Sequence, residues 1–138
     1  MTPVDQLILH LPDKGLYGDC QRASIASLLD LPIDKVPHFL FDNTTDHNEF
    51  NARINQFLAP RGLGHLEVCA FEFAQGHPQT YHLIYGPTDR DTWHAVVGCN
   101  GQIVHDPHPS KSGLDVTRKA EWTYGFLIAT GGFQHARR

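Results

Sequence analysis

The stretch Trp93-His94-Ala95-Val96-Val97-Gly98-Cys99-Asn100-Gly101-Gln102-Ile103-Val104-His105-Asp106-Pro107 reads as two apolar strands meeting at a turn. β-branched residues favour a pleated surface, and Asn-Gly between apolar runs is a strong hairpin signal. The register of this hairpin decides what its two ends bring together. A two-residue type I′ turn sets Gly98 opposite Ile103 and His94 opposite Pro107, with His105 on the histidine's face. A three-residue loop, Cys99-Asn100-Gly101 with Gly101 left-handed, sets Gly98 opposite Gln102 and His94 opposite Asp106. Their Cβ atoms then lie about 4.5–5.5 Å apart. We expect the second register, which leaves His105 on the other face.

Further strands are expected at 65–73, 81–85 and 122–129, beside those at 93–98 and 102–106. The segment before them is helical. Residues 20–31 carry small and aliphatic side chains nearly all round, as in a central helix packed on several sides. Pro32 should end it. A turn and a short helical piece broken by Pro37 follow. Asp46 and Glu49 form a variant capping box ahead of Phe50, Ile54, Phe57 and Leu58 at helical spacing, with Arg61-Gly62 as a stop. This second helix is expected to cover the core and do no chemistry. Two helices followed by hairpin-compatible strands imply an α+β domain with an antiparallel sheet.

With 138 residues, 41% of them hydrophobic, the chain fits one domain over residues 1–138 with a core of its own. A formal net charge of −4, with basic residues scattered except in His135-Ala136-Arg137-Arg138, offers no phosphate-binding stripe, so no nucleic-acid partner is expected. Leu7-Ile8-Leu9 lies between Asp5 and His10 and makes no secretory signal. No apolar run reaches membrane-spanning length, so no membrane partner is expected. Cys20, Cys69 and Cys99 are too widely spaced for a paired framework and read as reduced thiols of a cytoplasmic protein, with a Cys69–Cys99 bridge as the alternative in an exported one.

Cys20 opens the first helix, where the dipole and unpaired backbone donors favour a thiolate; the adjacent Asp19 opposes it unless it serves as an N-cap. Cys20, His94 and Asp106 together outline a nucleophile, a base and an orienting acid. The Pro-, His- and Ser-rich loop Asp106 to Gly113 is a natural home for site residues. Trp93, His108, Ser110 and Lys111 are candidates to wall a substrate cleft.

Gly-x-Cys opening a buried helix, His-Ala-Val-Val on a strand and Asp-Pro ending the next resembles the papain-like cysteine peptidase superfamily. The resemblance is greatest to its compact bacterial branch, typified by bacteriocin-leader-processing peptidases, and spans residues 17–107 in outline. It implies helices packed on an antiparallel sheet with the nucleophile at a helix N-terminus. It also implies Cys20 as nucleophile, His94 as base and then acid, Asp106 as orienter, a peptide or protein substrate and no cofactor. Such enzymes place an oxyanion-donating glutamine a few residues before the cysteine, whereas Lys14 to Asp19 contains none. Gln6 fills that role only where the intervening loop folds back, and the Cys20 N–H supplies another donor.

Other readings use overlapping residues. Transglutaminase-like or deamidase chemistry needs the same three side chains. A binding domain on the same scaffold needs only the cleft. Ten histidines raise a zinc alternative, through Cys99, His105 and His108 or through Cys20, His94 and Asp106. No metal is the expected state.

Overall fold

The computed structural model describes residues 1–69, 72 and 79–131. Five strands, β1 (Leu63–Val68), β2 (Tyr81–Pro87), β3 (Trp93–Cys99), β4 (Gln102–His105) and β5 (Thr123–Ala129), form one antiparallel sheet in the order β1-β5-β2-β3-β4. Two α-helices, α1 (Cys20–Leu28) and α2 (His47–Leu58), pack on it, α1 chiefly over β3 and α2 over β1. The architecture is α+β, as expected. The strand expected at 65–73 ends at Val68; residues 70, 71 and 73 lie outside the described residues.

Alternation along the central strands divides the interior in two. Leu83, Tyr85 and Ala95 pack with Ile25 and Ala26 of α1 and with Ile54 and Leu58 of α2. Ile84 and Val96 point the other way, onto Leu114, Trp122 and Tyr124. Each fully buried aliphatic side chain contributes about 1.5–3 kcal/mol, so the sheet is clamped from both faces.

Helix α1 stops earlier than Pro32 alone requires. Asp30 takes φ 55°, Leu31 N–H donates to Ala26 O at 3.0 Å, and Asp30 N–H donates to Ser27 O at 3.3 Å. That is a Schellman stop with aspartate in the position glycine usually fills. Asp46 caps α2 by accepting from the Asn48 and Glu49 amides at 3.0 and 3.2 Å. Glu49 turns instead to Arg53, at 3.2 Å. Gly62, at φ 69°, closes the short turn Ala59–Arg61 that follows.

The β3–β4 hairpin corrects the expected register. Cys99 pairs with Gln102 and Gly98 with Ile103, so the loop is the two-residue Asn100-Gly101, both residues at positive φ. This is the type I′ arrangement, which matches the twist of the flanking strands without a third residue. A β-bulge then shifts the ladder between Gly98 and Val97, and Val97 pairs with His105. The extra residue in β4 restores parity: continuing the shifted register places Asp106 one diagonal step from His94, on its face.

Residues 1–19 fold back along the helix and the hairpin end. Thr2 and Val4 amides donate to Ser27, the Gln6 amide donates to Pro107 O at 3.0 Å, and His105 Nε2 donates to Val4 O at 2.8 Å. Asp19, wholly buried, accepts from the Leu7 and Ile8 amides at 3.0 and 2.9 Å. No helix among the described residues is long and apolar enough to cross a membrane.

Candidate active site

Cys20 is the first residue of α1 and remains partly exposed. The first helical turn carries amide N–H groups with no intrahelical acceptor, which gives the sulfur an electropositive setting. The neighbouring carboxylate does not cap the helix. Asp19 makes no side-chain cap bond and holds the N-terminal segment and, at 3.5 Å, the Arg22 guanidinium. The negative charge beside the thiol is thus matched by two amides and a cation.

His94, on β3, lies between the thiol and a carboxylate. Its Nε2–H donates to Asp106 Oδ1 at 2.7 Å, which leaves Nδ1 as the ring nitrogen for the Cys20 side chain, whose influence favours the charged ring. Burial opposes charge on the ring. The hydrogen bond to Asp106 and the nearby Cys20 side chain overcome it, and the ring's pKa is held up to about 9. Burial likewise opposes the Asp106 carboxylate, but hydrogen bonds from His94 and from the His108 and Gly113 amides bring it down to about 2.

The loop after β4 explains that carboxylate. His108 N–H donates to Asp106 Oδ1 at 2.9 Å and Gly113 N–H donates to Oδ2 at 2.8 Å, so the loop closes around the side chain. Gly113 turns the chain there at φ 72°. Lys111 Nζ donates to Asp106 O at 2.9 Å and pairs with Asp5. Ser110 hydrogen-bonds His108 Nδ1 at 2.8 Å. Ser110 and Lys111, expected to wall a cleft, brace the loop and line neither of the two cavities at Cys20.

Those cavities flank the sulfur, and both are bordered by Cys20, Leu40, Trp93 and His94. One, of about 590 Å³, also meets Gln6, His10, Arg90 and His108. Trp93 is 57% exposed at the rim. The His108 ring stands edge-on to His94 with centroids 6.0 Å apart, and burial lowers its pKa. Trp93 and His108 therefore stand where a substrate wall was expected.

Gln6 reaches this cavity because Asp19 and Pro107 hold the segment on either side of it. Its Nε2 donates to Ile8 O at 2.8 Å, which leaves one N–H to spare. The fold-back that the spacing demanded is thus present.

The other cavity, of about 390 Å³, runs toward α2 past Gln21, Phe50, Tyr85 and Glu67. Beneath it lies a polar chain with defined direction. His65 Nδ1–H donates to Asn51 Oδ1 at 2.9 Å, so Tyr85 O–H donates to His65 Nε2 at 2.9 Å and accepts from Gln21 Nε2 at 2.8 Å. Burial lowers the His65 pKa and raises that of Tyr85, so both stay neutral near pH 7. Gly125 makes room, since a Cβ there would lie 2.7 Å from His65 Nε2. Helix α2, expected only to cover the core, thus also walls the site with its first turns. Sequence reading did not single out Gln21, Phe50, Glu67 and Tyr85 as lining residues; the adjacency of Gln21 to Cys20 was the one available signal.

Cys69 and Cys99 are free thiols. His105, a candidate zinc ligand with Cys99 and His108, turns to the N-terminal segment. No group of three or more His, Cys, Asp or Glu side chains among the described residues is arranged to hold a metal. No protein-family model, curated protein or solved structure matches this chain.

Proposed function

We propose that this chain is a papain-like, thiol-dependent hydrolase of peptide, isopeptide or other amide bonds. The observation that carries the reading is the convergence of Cys20, His94 and Asp106: the ring donates to the carboxylate at 2.7 Å, the thiol at the helix start acts on the same ring, and Cys20 and His94 both border two open cavities. The order Cys, His, Asp and the placement of the thiol at a helix start against an antiparallel sheet support the papain-like assignment.

In the reaction, the Cys20 sulfur forms a bond to the scissile carbonyl carbon while the His94 imidazolium keeps the proton. The carbonyl oxygen becomes an oxyanion, for which the Cys20 backbone N–H and the spare N–H of Gln6 are the donors. His94 passes its proton to the leaving amine as the C–N bond breaks, and a thioester remains. Water then attacks, giving a proton to His94, and the S–C bond breaks to release the acid. Asp106 keeps Nε2–H engaged throughout and so fixes the ring's orientation.

Alkylation tests the activation of Cys20. Exposure alone ranks the exposed Cys69 first, ahead of the partly buried Cys20 and Cys99. Activation ranks Cys20 first. Iodoacetamide at pH 7 is expected to label Cys20 fastest, and His94→Ala is expected to slow that reaction. Cys20→Ala should abolish turnover of a quenched-peptide and amide panel while changing stability by no more than about 1–2 kcal/mol. Equal labelling at the three thiols overturns the proposal.

A further inference from the structure

The two cavities beside Cys20 differ in character. The one toward the loops carries Arg90, His10 and His108 together with Asp91. The one toward α2 has apolar walls, Leu40, Phe50 and Trp93, and two carboxylates, Glu67 and Asp46. Asp46 is committed to capping α2.

Glu67 is partnered by a hydroxyl and a histidine. Its Oε2 accepts from Thr123 Oγ1 at 2.8 Å, and its Oε1 lies 3.8 Å from Nε2 of His47, a ring that is itself 69% exposed. Among the described residues no Lys or Arg pairs with it. The groups buried nearby, Tyr85 and His65, are neutral near pH 7. A second acceptor borders the same cavity: Gln21 is 2% exposed, and its Oε1 accepts no hydrogen bond from the described residues. A buried acceptor of this kind gains from any ligand that brings N–H groups to it.

We propose that this cavity is a specificity pocket for a basic side chain of the substrate, lysine or arginine, whose cationic head pairs with Glu67. Long basic side chains carry an apolar stem and a charged tip, and the pocket offers a wall for each, Phe50, Leu40 and Trp93 for the stem and the carboxylate for the tip. Trp93 also offers a π face to a cation at the rim. The proposal rests on the hydrolase reading for its catalytic consequence, but the pocket's preference for a cation can be read by binding alone.

The experiment uses the full chain and a positional-scanning library of internally quenched peptides, with arginine compared against its neutral isostere citrulline at each position. One position near the scissile bond is expected to favour arginine by roughly tenfold in kcat/KM, the scale of a partly desolvated charge pair. Glu67→Gln should bring that ratio close to one, and Glu67→Lys should reverse it in favour of glutamate. Thermal melting and the rate of Cys20 alkylation confirm that each variant is folded. Equal rates for arginine and citrulline at every position, or a ratio untouched by Glu67→Gln, overturn the proposal.

The binding arm separates this failure from failure of the hydrolase reading. Acetyl-arginine methylamide and acetyl-citrulline methylamide are titrated onto the Cys20→Ala protein and followed by NMR. Arginine-selective shifts at Glu67, lost in the Glu67→Gln double variant, with no peptide cleaved by the intact chain, sustain the pocket and sink the hydrolase. Equal shifts from both amides sink the pocket.

Discussion

Asp106 and His94 depend on each other for both charge and geometry. The carboxylate accepts from the ring and from two amides of its own loop, so its position is fixed by the fold itself. Replacing it by asparagine separates orientation from charge, because an amide oxygen still accepts from Nε2–H. The hydrolase reading predicts that activity falls on the alkaline side as His94 loses its proton near pH 9. In Asp106→Asn that limb should move down by about one pH unit or more, toward the ordinary imidazole range, because a neutral partner no longer favours the cation. A pH profile of kcat/KM reads this directly; an unmoved limb assigns the proton to another group. Gln6→Ala should instead lower kcat by roughly 10²–10³-fold with little change in KM, as expected when a donor acts only on the oxyanion.

At the scale of elements, the N-terminal segment acts as a strap whose buckle is Asp19. Removing that carboxylate in Asp19→Ala leaves the Leu7 and Ile8 amides without their acceptor and Arg22 without a partner. Hydrogen bonds to a charged group are worth about 1.5–3 kcal/mol each, so losing the two amide bonds should show in denaturant unfolding as a loss of about 3–6 kcal/mol. Activity should drop at least as far as in Gln6→Ala, because the strap positions Gln6. Full activity in a destabilised Asp19→Ala protein would separate the strap from catalysis. Much at this scale was legible in sequence. The cap at Asp46, the turn at Gly62 and the centres of β2 to β5 follow from local chemistry, and local chemistry is what neighbouring residues encode. The hairpin register was not legible, because a bulge costs little and depends on what packs behind the strand. The role of Asp19 was equally hidden, since its partners lie 11 and 12 residues away, in a stretch without periodicity.

For the molecule as a whole, the histidines pull stability in opposite directions with pH. His94 binds its proton more tightly folded than unfolded, with a folded value of about 9 against an ordinary 6.5. Its stabilisation is complete below about 6.5 and fades as pH rises through 9, because the folded state then has more protons to lose. His65 and His82 are shifted the other way by burial, which penalises their charged forms. Below about 6.5 the unfolded chain takes up protons that these buried rings resist, so stability falls with acidification. Asp106, depressed to about 2, adds its stabilisation above the ordinary carboxylate range and loses it only as pH falls through 2. The unfolding free energy should therefore peak between about pH 6 and 7 and decline toward both pH 5 and pH 9. In His94→Gln the alkaline decline should flatten while the acid side persists, since His65 and His82 are untouched. Urea titrations of both proteins at pH 5, 7 and 9 test this. An alkaline slope unchanged by His94→Gln would mean that the imidazolium pair contributes nothing to folding, and that the cation at the centre of the proposed chemistry is not held by the fold.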